Sequence, residues 1–82
     1  MKLLSDARKE IAQFEALAEA AYGAMYDAKD HNVKDCYEDA SYNLSRAVDV
    51  ARAHGLAEEV ERLSKRIDHI AAVYNSQFRR RT

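Results

Sequence analysis

The chain has 82 residues, of which 48% are hydrophobic and 33% charged. This composition excludes an intrinsically disordered chain, which would be poorer in apolar residues, and the length predicts a single domain over residues 1–82. With no proline and only two glycines, the chain lacks the turn residues of a β-rich fold, and its net charge of −1 provides no global field for nucleic acid or an anionic membrane.

The first predicted helix runs from about residue 4 to residue 28. Its apolar residues recur at spacings of three and four, which places them on one face of a helix. This face consists of Leu4, Ala7, Ile11, Phe14, Ala18, Ala21, Met25 and Ala28. The pattern predicts a long amphipathic helix with one buried side.

The second predicted helix spans residues 33–53 and follows a polar break at 29–32. Asn32 is a favourable N-cap residue, and Asp35 lies three positions later, as in a capping box. Gly55 is predicted to end this helix in a left-handed conformation, with Leu56 supplying the apolar contact that accompanies such a stop.

The third predicted helix spans residues 57–79, with glutamates at its start and arginines at its end, in agreement with the helix dipole. Because both connections are short, consecutive helices should be antiparallel neighbours. We therefore predict an all-α, up-down-up three-helix bundle. Its predicted core comprises Ile11, Phe14, Ala18, Met25, Leu44, Ala47, Leu63, Ile67, Ile70 and Tyr74.

The second half of the first helix has an unusual far side. Between Ala16 and Tyr26 the only charged residue is Glu19, and the side opposite the core carries small residues. A helix that is apolar or small all round is usually covered all round. The predicted interaction residues are therefore Ala12, Ala16, Ala20, Gly23 and Tyr26.

Residues with catalytic or metal-binding chemistry are sparse and scattered. No glutamate has a histidine three residues later, as di-iron bundles require, and the acidic residues of segment 27–39 are typical of a solvated surface, although Asp27 and His31 are four apart. We expect no metal, no cofactor, no small-molecule substrate and no enzymatic activity. The single cysteine, Cys36, should be a small packing residue, and together with the absence of a signal peptide or membrane span it favours the cytoplasm.

Two segments resemble parts of a tetratricopeptide repeat. Residues 22–26 are similar to its first helix, and residues 45–55 are similar to the second helix of some long repeats. However, Asp35 stands where the repeat has a small alanine, and the second helix is too long for a 34-residue unit. Membership of that family is not inferred.

These observations favour a non-enzymatic helical module that binds other proteins and associates with itself, most simply as a homodimer. The alternative is a small nucleic-acid-associated protein that uses Arg79, Arg80 and Arg81, with Arg62, Lys65 and Arg66 on the same helix. Salt distinguishes the two, because counterion release makes nucleic-acid binding steeply salt-dependent whereas an apolar helix interface is not.

Overall fold

The computed structural model describes residues 4–28 and 30–78 of the chain. It contains helices α1 (Leu4–Asp27), α2 (Asp30–Ala53) and α3 (Ala57–Val73), and a wide π-helical turn at Tyr74–Phe78 continues α3. The described ranges contain no strand. The predicted all-α, three-helix architecture is confirmed.

Helix α2 lies at the centre of the bundle and packs against both neighbours, most extensively against α1. Helices α1 and α3 are joined by ion pairs between Glu15 and Arg62 and between Glu19 and Arg66, both separated by 47 residues. Because this separation is constant, α1 and α3 run in the same direction, as an up-down-up bundle requires.

Seven of the ten predicted core residues are buried. Among the described residues, five alanines of α1 and α2 have zero exposure. Small side chains let helix axes approach closely. The buried set at the centre is Ile11, Ala18, Ala40, Leu44, Ala47, Val48, Ala51, Leu63 and Ile70.

The other three predicted core residues, Phe14, Ile67 and Tyr74, are only half-buried. The prediction that they lie inside the core was therefore wrong, because they lie at its edge. Phe14 and Ile67 pack against the buried set from its edge. The guanidinium of Arg46 lies 5.7 Å from the centre of the Phe14 ring. Tyr74 stacks on Tyr37, with ring centres 4.2 Å apart. Each of these side chains covers the margin of the core.

The start of α2 differs from the prediction. The helix begins at Asp30, and Asn32 is an exposed residue inside its first turn, so Asn32 is not the N-cap. No residue of segment 29–32 is proline or glycine, so the segment contains no strong helix breaker. Helix α2 can therefore begin close to the point where the chain reverses direction after α1. The polar cluster was therefore a weaker helix break than its composition indicated.

The turn between α2 and α3 is as predicted. Gly55 has a φ of +69°, and its N–H donates to the carbonyl of Arg52 at 3.1 Å, while the N–H of Leu56 donates to the carbonyl of Ala51 at 2.9 Å. This pair of hydrogen bonds is the Schellman motif. Leu56 packs against the core and so anchors the turn.

We expect Gly55→Ala to lower the free energy of unfolding by about 1–2 kcal/mol, because a Cβ disfavours the left-handed conformation. Asparagine tolerates this conformation better, so Gly55→Asn is expected to lose less. Urea unfolding followed by circular dichroism measures both losses. Equal losses for the two variants would contradict the backbone explanation.

The end of α3 also differs from the prediction of a helix to residue 79. Regular α-helix ends at Val73, and the turn Tyr74–Phe78 is wider. The N–H of Tyr74 donates to the carbonyls of both Ala71 and Ile70. The widened turn places Phe78 against α1, and Arg79 lies outside the described residues.

Candidate protein-binding face

The predicted small residues of α1 form a continuous solvent-exposed surface. Ala12, Ala16, Ala20 and Gly23 are all exposed, while the buried residues of α1 lie on the opposite side of the helix. We call these four residues the alanine face. Neither α2 nor α3 covers it.

Gly23 has no packing role among the residues that the structure describes. A Cβ built at this position would meet no atom within 4 Å, apart from the local helix backbone, and its φ is that of an ordinary helix. A glycine inside a helix costs about 0.5–1 kcal/mol relative to alanine. The packing within the described part of one chain therefore does not require glycine at this position.

Tyr26 lies at the side of α1 that faces α3. Its ring is 53% exposed and packs edge-on against Tyr22 and Phe78, with centres 5.6 Å and 5.2 Å apart. Its hydroxyl is 3.2 Å from that of Tyr22, and this hydrogen bond raises the pKa of Tyr22. Tyr26 therefore closes the end of the bundle, in addition to presenting exposed aromatic surface beside the alanine face.

Leu17 is an exposed apolar residue that the sequence reasoning did not single out. It lies between Ala16 and Ala20 along α1, and 57% of it is exposed. Leu17 falls outside the heptad seam of the core, which is the feature that could have identified it. A leucine exposed to this extent beside small residues extends the apolar surface of α1.

The side of α1 nearest α3 is polar and is occupied by a network of ion pairs. Arg62 donates to both carboxylate oxygens of Glu15, at 2.6 Å and 3.0 Å, and also to Glu59 at 2.6 Å. Arg66 donates to both oxygens of Glu19, at 2.7 Å and 2.6 Å. We call these contacts the α1–α3 ladder.

The ladder also changes the protonation behaviour of its members. Hydrogen bonds from Arg62 hold the pKa of the Glu15 carboxyl below its ordinary value, and the same contacts raise the pKa of Arg62. The hydrogen bond to Glu19 raises the pKa of Arg66, whose guanidinium lies 5.0 Å from the centre of the Tyr22 ring. Glu15 therefore remains ionised to a lower pH than an isolated glutamate.

Comparison of the chain with protein-family models, with curated proteins and with solved structures finds no match. The similarity of residues 22–26 and 45–55 to a tetratricopeptide repeat is accordingly supported by no family model.

The basic residues of α3 are largely neutralised within the chain. Arg62 and Arg66 are engaged in the α1–α3 ladder, and Lys65 lies 3.1 Å from a carboxylate oxygen of Glu61. Arg79, Arg80 and Arg81 lie outside the described residues. The described part of α3 therefore presents little unpaired positive charge to a polyanion such as nucleic acid.

Other reactive side chains are dispersed over the described surface. Cys36 is half-buried on α2, His69 is exposed on α3, and His54 is half-buried at the end of α2. Asp27 is exposed, and the side chain of its possible partner His31 lies outside the described residues. Among the described residues, no three histidine, cysteine or carboxylate side chains form a group that could hold a metal.

Within the described ranges, no helix has an apolar stretch long enough to cross a bilayer.

Proposed function

We propose that this protein is a helical protein-interaction module that associates with itself through the alanine face of α1. The observation that carries the proposal is Gly23, a mid-helix glycine with open space around it, in line with three exposed alanines. Small residues on a helix surface allow a second helix to approach closely. A partner helix would give Gly23 the packing role that it lacks in a single chain.

The surroundings of the alanine face support the same proposal. Leu17 and Tyr26 are more than half exposed, and both lie beside this face on α1. Aromatic side chains are enriched at protein interfaces, whereas lysine and glutamate are depleted. An 82-residue domain also has a limited core, so additional burial of apolar surface would add usefully to its stability.

We propose a non-enzymatic role in the cytoplasm. Among the described residues no polar or charged side chain is buried, so none is held in the desolvated environment that commonly tunes catalytic groups. A single cysteine suits a reducing compartment. Binding another protein, in the first instance a second copy, needs neither cofactor nor metal.

The decisive substitution is Gly23→Leu. We expect wild-type protein to show twice the mass of one chain at tens of micromolar, and the variant to show the mass of one chain, because leucine fills the space that the partner helix requires. The variant should remain fully helical, since leucine is a better helix former than glycine. Light scattering coupled to size-exclusion chromatography over a range of concentrations measures the mass, and circular dichroism measures helix content.

Ala72→Leu is the matched control, because Ala72 is an exposed small residue on α3, away from the alanine face. This control should keep the wild-type mass. A wild-type mass of one chain at tens of micromolar would exclude the homodimer and leave the alanine face for a different protein. If the Gly23→Leu variant remained a dimer, the interface would have to lie on a surface other than the alanine face.

A further inference from the structure

The alanine face has an oppositely charged residue at each end. Lys9 lies one turn before Ala12, and Asp27 lies one turn after Gly23. Both side chains are exposed, and neither forms an ion pair with another of the residues that the structure describes. The two charges are therefore available to a partner.

The residues of this face fall into two rows with the same repeat. Lys9, Ala16 and Gly23 are seven residues apart, and Gln13, Ala20 and Asp27 are also seven residues apart. A repeat of seven keeps a row of residues facing a neighbouring helix along its length. The midpoint between Lys9 and Asp27 is residue 18, which is also the midpoint between Ala16 and Ala20 and between Gln13 and Gly23.

In an antiparallel pair with a two-fold axis at the level of residue 18, each residue of one row therefore lies level with a residue of the other row in the second copy. In an antiparallel pair of α1 helices, Lys9 of one copy faces Asp27 of the second, and Ala16 faces Ala20. Gln13 faces Gly23, whose missing side chain leaves room for the longer glutamine. Two-fold interfaces use the same patch on both copies, and this patch is complementary to itself in both charge and size.

We propose that the occupant of the alanine face is a second copy of this chain, with its α1 antiparallel and centred on residue 18. This inference rests on the proposed self-association and specifies its geometry. The charges select the direction, because a parallel pair would place Lys9 against Lys9 and Asp27 against Asp27. Antiparallel packing forms one Lys9–Asp27 pair at each end of the interface.

The exposure of Leu17 follows from the same arrangement. A two-fold axis perpendicular to the plane of the two helices keeps each flank on its own side, so the two copies of Leu17 lie on the same side. They are within one residue of the axis. Each therefore covers the other, and the more exposed of the two leucines of α1 becomes part of the interface.

A spin-label distance tests the direction and register. Asp6 is exposed, so Asp6→Cys in a Cys36→Ser background provides one labelling site in each chain. In the antiparallel pair the two labels are each 12 residues from the axis, which corresponds to about 36 Å along the helices at about 1.5 Å per residue. In a parallel pair they would be separated by less than about 20 Å, the width of two packed helices.

Charge reversal provides a second and independent test. Lys9→Asp should weaken the dimer by about three- to thirtyfold in its dissociation constant, because it opposes Asp27 at both ends. Asp27→Lys should weaken it similarly, and the double variant Lys9→Asp with Asp27→Lys should restore wild-type affinity. The measurement is the dissociation constant from sedimentation equilibrium.

The outcomes separate this inference from the function on which it rests. A dimer with a label distance near 36 Å and restored affinity in the double variant supports both. A dimer with a short label distance, or without restoration, overturns the antiparallel register while self-association stands. A wild-type protein that remains a single chain at tens of micromolar overturns both.

Discussion

Replacing Leu44 with alanine is expected to lower the free energy of unfolding by about 2–5 kcal/mol. Leu44 is fully buried at the centre of α2, the helix that packs against both others. The substitution removes apolar contacts and leaves a cavity that close-packed helices cannot fill completely. Because small domains have a free energy of unfolding of only a few kcal/mol, a measurable fraction of the variant should be unfolded without denaturant.

Urea unfolding followed by circular dichroism measures this loss, with all proteins at one chain concentration because association adds to apparent stability. Leu4→Ala is the control, since Leu4 is half exposed at the start of α1. The control should lose less than about 1 kcal/mol. Similar losses at Leu4 and Leu44 would mean that the core of α2 faces a different direction.

The second large effect is expected from adding volume. Ala47→Leu should lower the free energy of unfolding by about 1–3 kcal/mol, because Ala47 has zero exposure and belongs to the buried set at the centre of the bundle. A larger side chain there must displace a neighbouring helix or adopt a strained rotamer. Leucine is nearly as good a helix former as alanine, so helix propensity contributes little to the change.

Ala53→Leu makes the same change at an exposed position of the same helix. Its free energy of unfolding should remain within about 0.5 kcal/mol of the wild type. Thermal unfolding monitored by circular dichroism compares the two variants directly. If Ala47→Leu were as stable as the wild type, α2 would have room beside Ala47 that close packing of the helices does not leave.

The helices and most of the core were predictable because they depend on local periodicity. The spacing of Ile11, Ala18 and Met25 specifies one face of a helix without knowledge of its neighbours, and all three are buried. The left-handed turn at Gly55 was predictable for a similar reason, since few other residues adopt that conformation.

Features that depend on the relative position of two helices were not predictable. The sequence placed Arg62 and Arg66 on a polar face, but their partners Glu15 and Glu19 lie 47 residues away, and that pairing depends on the axial offset between α1 and α3. The start of α2 was not predicted because the polar residues of segment 29–32 have the composition of a loop, although they are compatible with a helix. The position of the alanine face opposite the core side of α1 was predictable, because it follows from helix periodicity alone.

The α1–α3 ladder gives the bundle a means of choosing among alternative alignments. Alanine-rich surfaces are smooth, so an error of one helical turn between helices would sacrifice little shape complementarity. Glu15 and Glu19 are four residues apart, as are Arg62 and Arg66. Sliding α3 by one turn would therefore pair one glutamate with the wrong arginine, and the remaining glutamate and arginine would have no partner in the other helix. Each surface ion pair stabilises the protein by only about 0.2–1 kcal/mol. Their main contribution is therefore to helix alignment. The charges raise the free energy of misaligned bundles, which apolar packing alone would not disfavour.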